Sequence, residues 1–109
     1  MKNLKLLVDG SVIKFTPTCN FKGLFPGMTE PLQLDFDFSP EWESGAKVAA
    51  FWSMSGKEYS PQILKGGKSC KVPVEALQRD AFKVQILGSM NGERTSTTKC
   101  TIYLEGGRT

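Results

Sequence analysis

From Lys47 to Leu104 the chain is cut into short β-type runs by turn signals at close, regular spacing. The segment reads KVAAFWSMSGKEYSPQILKGGKSCKVPVEALQRDAFKVQILGSMNGERTSTTKCTIYL. Its runs are rich in Val, Ile, Thr and aromatic residues and are bounded by Gly, Pro and Asn, which suits strands and leaves no room for long helices. The pattern predicts an all-β fold, an antiparallel β-sandwich of about 7–8 strands. At 109 residues the chain matches one domain, 1–109, around one core.

Leu4–Val8 is a first strand, and Asp9-Gly10 favours a two-residue hairpin turn into a second, Ser11–Thr16, with Ile13 and Phe15 on one face. Between Pro17 and Pro31 lies a loop long enough to be a binding element, or one whose Phe21 and Phe25 plug an end of the sandwich. Leu32–Phe38 alternates strictly, with Leu32, Leu34, Phe36 and Phe38 on one face and Gln33, Asp35 and Asp37 on the other. Lys47–Met54 is a central strand in which one of Phe51 and Trp52 belongs in the core and the other is a partly exposed anchor. Pro61 demotes Lys57–Leu64 to an edge or an irregular strand. Ser69–Val72 is a short strand, and Pro73 prepares one helical turn near Val74–Arg79. Ala81–Leu87 follows and is broken by Gly88; Asn91-Gly92 turns the chain into a single return strand, Arg94–Leu104. The tail, residues 105–109, is polar and expected to fray.

Composition narrows function mainly by exclusion. Histidine is absent, which removes the commonest general base and metal ligand. Cys19, Cys70 and Cys100 have no zinc spacing and read as small buried hydrophobes, with a Cys70–Cys100 bridge as the alternative in an oxidising compartment. Asp35 and Asp37, about 6.5–7 Å apart at Cα, could suggest a carboxylate pair, but alternation puts them on a solvated face. Gly66-Gly67-Lys68-Ser69 lacks the spacing of a phosphate loop and reads as a hairpin turn. The net charge of +3 is spread from Lys2 to Arg108, with small groupings at Lys65, Lys68 and Lys71 and at Arg94 and Lys99. That distribution fits a solvated surface and argues against nucleic acid. No run approaches a membrane span, and Leu6–Val8 is too short for a secretory signal. The expectation is a protein with no enzymatic activity and no cofactor. Its candidate interaction anchors are the aromatics Phe21, Phe25, Trp42, Trp52 and Tyr59.

Several local features carry a resemblance: the step from Glu41-Trp42 to Phe51-Trp52, the run Cys70–Leu77, Phe82–Gly88, the Asn-Gly turn, and the threonines of Arg94–Thr98. Together they resemble small proteins and domains of the tail and baseplate gene region of phages and prophages of Gram-positive bacteria. The resemblance covers roughly Leu32 to Leu104 and its motifs are structural. It implies an immunoglobulin-like sandwich that serves as a virion structural or assembly component, in tail, baseplate or as a head accessory. The implied partners are other phage structural proteins, or further copies of the chain in a ring paired through the Lys57–Leu64 edge. The implied location is the virion or the bacterial host cytoplasm. Two other roles fit a small domain without catalytic motifs: a phage-encoded inhibitor of a host protein, and a module for host cell-wall carbohydrate using Trp42, Tyr59, Asp35 and Asp37.

Overall fold

The first strand, β1 (Lys2–Asp9), folds back on β2 (Val12–Phe15) through a tight turn in which Gly10 takes φ +58°, a conformation that L side chains rarely adopt. The computed structural model describes residues 2–17, 19 and 21–104. β3 (Leu32–Phe38), β4 (Val48–Trp52), β5 (Gln62–Ile63) and β6 (Ser69–Lys71) follow. A 3-10 turn at Val74–Gln78 then precedes β7 (Ala81–Met90), β8 (Glu93–Ser96) and β9 (Cys100–Tyr103). Two sheets result. One is four-stranded in the order β2-β1-β3-β6; the other is five-stranded in the order β5-β4-β7-β8, with β9 also on β7. The fold is therefore the expected all-β sandwich, with one pair that departs from the antiparallel rule. β1 and β3 run parallel, in register from Lys2 opposite Leu32 to Val8 opposite Phe38. Parallel neighbours need a long crossover, and here β2 and the 17–31 loop supply it.

Alternation in both sheets builds the core. Leu4, Leu6 and Val8 of β1 and Leu32, Leu34 and Phe36 of β3 face Ala49 and Phe51 of β4 and Phe82, Val84 and Ile86 of β7. Phe51 and Phe82 meet at 6.0 Å between ring centroids. Burying a Leu, Ile or Phe contributes roughly 1.5–3 kcal/mol, so these strands carry the stability that their short length alone would not. Ala76 and Leu77 of the 3-10 turn add to the same core.

Three local expectations are corrected. First, the long loop closes the sandwich with Leu24 and Met28, which are buried; Phe25 is exposed, and Phe21 packs edge-on to Phe15 at 5.0 Å. The main-chain bond from Gly27 N–H to the Leu77 carbonyl (2.7 Å) fixes that loop to the 3-10 turn. Second, Gly88 does not end its strand. β7 runs through it to Met90 because the Trp42 ring lies where a side chain would be: a Cβ there would stand 3.1 Å from Trp42 Cζ3. Glycine inside a strand here marks a close approach, not a break.

Third, Arg94–Leu104 is not one strand but two. Thr97 is buried between β8 and β9. Its hydroxyl accepts the Ile86 N–H at 3.0 Å, and its own N–H donates to the Ile86 carbonyl at 2.9 Å. A side chain thus replaces one rung of the ladder. The next residue, Thr98, then donates to the Ser11 carbonyl of the other sheet at 2.8 Å. Ile13 and Phe15 stand opposite Val8 and Leu6 on one face, as expected, but only Ile13 is buried. Phe15 sits at the sheet margin and remains substantially exposed. The tail expected to fray lies outside the described residues.

At the opposite margin Lys65 N–H donates to the Ser69 carbonyl at 2.6 Å, joining the corner after β5 to β6. Each side of the sandwich therefore carries a hydrogen-bonded stitch between its sheets.

Candidate interaction surface

Residues opposite one another in an antiparallel pair share a face, so register decides what each sheet shows to solvent. Val48 pairs with Ile63 on one side and Leu87 on the other, which sets an apolar row across three strands of the five-stranded sheet. One step along, Ala50 pairs with Gln85; one step further, Trp52 pairs with Glu58 and Lys83, and Lys83 with Thr101. Tyr103 opposite Ala81 extends the face. The residues between these rows are the buried core, so these rows point outward.

Ile63 is 75% exposed, and Leu87 and Tyr103 are also exposed. Ala50 is buried although it points outward, so its outward neighbours close over it. Trp52 is half-buried, with the Lys99 ammonium 3.9 Å above its ring centroid. Its indole Nε1 is buried without a hydrogen-bond partner among the described residues. Lys83, Lys99 and, by register, Arg94 outnumber Glu58 on this face. The outer face of the four-stranded sheet differs. There Asn3 and Gln33 donate to Asp35 at 2.9 and 2.8 Å, and Lys14 pairs with Asp9 at 3.2 Å. Asp35 and Asp37 belong to this polar face, as their alternation indicated.

The five candidate anchors do not form one group. Phe51 is fully buried and Trp52 is its outward neighbour, as the paired aromatics predicted. Trp42 is only 7% exposed. Its Nε1 donates to the Gly10 carbonyl at 2.8 Å and its ring lies 5.5 Å from that of Phe38, so packing is its visible role. Phe21 is half-buried against Phe15, Phe25 is exposed at the loop, and Tyr59 is half-buried against the core beside β4. Ile63, Leu87 and Tyr103 were not singled out in the sequence. The signal was there: outward positions of a sheet normally alternate to polar, and these do not.

Two surface clefts flank the sheets. One, of about 620 Å³, is lined by Tyr59, Lys57, Glu75, Arg79 and Asp80. The other, of about 650 Å³, lies between the β3–β4 connection and the β5–β6 turn. Tyr59 lines the first and Trp42 the second, so the aromatic and acidic residues considered for carbohydrate are not gathered at one place. The three cysteines are free thiols. Burial pushes the Cys70 thiol up to about 12, helped by the Asp35 carboxylate, and raises Cys19 and Cys100 as well. The thiolate is the reactive form, so burial lowers the reactivity of all three, of Cys70 the most. Among the described residues no cluster of three His, Cys, Asp or Glu could hold a metal ion, and no helix is long and apolar enough to cross a membrane. Comparison with protein-family models, curated proteins and solved structures returned no match for this chain.

Proposed function

We propose that the chain is a non-enzymatic phage or prophage protein, an immunoglobulin-like virion structural or assembly component that works through protein–protein contact. The observation that carries the contact reading is the outward row Ile63–Val48–Leu87, continued by Trp52 and Tyr103 on the same sheet face. Apolar residues at consecutive outward positions expose a patch that water disfavours, and such patches mark interaction sites. The virion part of the reading rests on the sequence resemblance. Mass spectrometry of particles induced from the host that carries this gene tests it, and stoichiometric recovery is the expected result. Presence in the infected cell with absence from particles would overturn the virion role in favour of an inhibitor of a host protein. The contact face is tested separately by Ile63→Lys and Trp52→Ala. Truncating a central aromatic of an interface costs about 2 kcal/mol or more of binding. Incorporation unchanged by both variants would remove this face from the proposal.

A further inference from the structure

The outward face of the five-stranded sheet carries donors that nothing else in the molecule answers. Trp52 Nε1 is buried without an acceptor among the described residues, and the Lys99 ammonium stands 3.9 Å over the same ring. Lys83 is the cross-strand neighbour of Trp52, and Arg94, opposite Ser89, points to the same side. Among the described residues none of these three cations forms an ion pair. Glu58, opposite Trp52, is the one carboxylate in the paired rows of this face. A buried donor without an acceptor is costly, and a ring face answers an ammonium only in part. The outer face of the other sheet shows the contrast: Asp35 accepts from Asn3 and Gln33, and Asp9 pairs with Lys14.

We infer that this face binds an acidic, aliphatic segment of a partner protein. Its carboxylates meet Lys99, Lys83 and the Trp52 N–H, and its aliphatic side chains cover Ile63, Val48 and Leu87. The inference rests on the contact reading above and names the chemistry of the partner. Charge complementarity chooses the occupant. A second copy stacked through the same face would set three cations against three, with one Glu58 on each side to offset them. A nucleic acid would engage the cations and Trp52 but leave uncovered the row led by Ile63, which is 75% exposed, since aliphatic side chains offer bases no stacking surface. As the Lys99 ammonium leaves the ring for a carboxylate, the indole N–H beside it opens to the same acceptor. Spacing sets the order of the segment. Val48 and Trp52 lie four residues apart on β4, about 13 Å. An extended segment running along β4 therefore carries its acids about four residues from its aliphatics.

The test is a nuclear magnetic resonance titration of the whole chain, read at its two indole N–H signals. Trp42 is the internal control, because its Nε1 is bonded to the Gly10 carbonyl. The probes are the blocked peptide Leu-Ser-Leu-Ser-Asp-Ser-Asp, its neutral counterpart Leu-Ser-Leu-Ser-Asn-Ser-Asn, and oligothymidylate as a nucleic-acid arm. The acidic peptide should shift the Trp52 signal and leave Trp42 in place. The neutral one should bind about fivefold more weakly, the worth of one exposed ion pair at its upper end. In about 1 M salt, where the screening length falls to about 3 Å, that difference should vanish. Lys83→Gln combined with Lys99→Gln should bring the two peptides to the same affinity, and an unmoved Trp42 signal reports that the variant is folded. The inference is overturned by equal binding of acidic and neutral peptide, by a preference that survives the double variant, or by tighter binding of oligothymidylate. A shift driven by protein concentration alone, or a Trp52 signal unmoved by millimolar acidic peptide, overturns it as well. The contact reading is judged apart from it, by the effect of Ile63→Lys on incorporation, so the two can fail separately.

Discussion

Thr97→Val tests the account of why the last strand is divided. Thr97 alone serves both main-chain groups of Ile86: its hydroxyl accepts the N–H at 3.0 Å and its N–H meets the carbonyl at 2.9 Å. Valine keeps the shape and the backbone bond but removes the acceptor. The orphaned, buried N–H then costs about 1–3 kcal/mol. The added methyl returns somewhat less than about 0.8 kcal/mol, since it replaces a hydroxyl in a site that is already filled. The net loss is about 1–2 kcal/mol, which lowers the melting temperature by about 4–8 °C for a domain of this size. Thermal unfolding by circular dichroism measures the total, and hydrogen exchange at the Ile86 amide localises it. Thr97→Ser, which keeps the acceptor, should recover most of the loss and should slow Ile86 exchange relative to valine. If Thr97→Val melts within a degree of the parent and Ile86 stays protected, the hydroxyl is not a rung of the ladder and the reasoning fails.

Gly88→Ala should destabilise by about 1–3 kcal/mol through overpacking against the Trp42 ring, seen as a lower midpoint in urea, and Trp42→Leu in the same chain should relieve part of it. Ile63→Lys should leave the midpoint within about 0.5 kcal/mol, because the side chain is already in water, while reducing association in sedimentation; a large fall in stability would mean that the row is core. Cys70 should resist a disulfide exchange reagent at pH 8 in the folded protein and react on unfolding; fast reaction in the native state would contradict its burial. Its raised pKa also fixes a sign. Between about pH 9 and about 12 the unfolded thiol is ionised and the folded one is not, so the unfolded state binds fewer protons and stability falls as pH rises. Cys70→Ala should flatten that part of the pH–melting curve.

Strict alternation made β3 readable from Leu32, Leu34 and Phe36, and Phe82, Val84 and Ile86 made the inner face of β7 readable in the same way. Local pattern also exposed the Asn91-Gly92 turn, where both residues take positive φ. Gly88 and Thr97 misled for a shared reason: the meaning of each depends on a residue far away in the chain. A glycine reads as a break until Trp42 is known to lie over it, and a threonine reads as strand until Ile86 is known to need its oxygen. The parallel pairing of β1 with β3 is of the same kind, since nothing within either strand states which neighbour it will take. The candidate site was less legible still. Trp42 and Trp52 have similar aromatic surroundings in sequence, yet one is sealed by Gly10 and Gly88 and the other lies on the outer sheet face beneath Lys99.

The two stitches between the sheets, Lys65 to Ser69 and Thr98 to Ser11, bear on how copies of this chain could be arranged. A strand donates itself to a neighbour through unused main-chain groups along its margin, and this is how sheets grow from one molecule into the next. Here part of each margin is spent on the molecule's own second layer, including the corner beside the proline-bearing edge that looked suited to pairing across a ring. Strand addition at those two points would first have to break those bonds. At those two points a second copy would meet side chains and satisfied main chain rather than a free hydrogen-bond ladder, so a contact there has a geometry set by side chains and open to change by substitution.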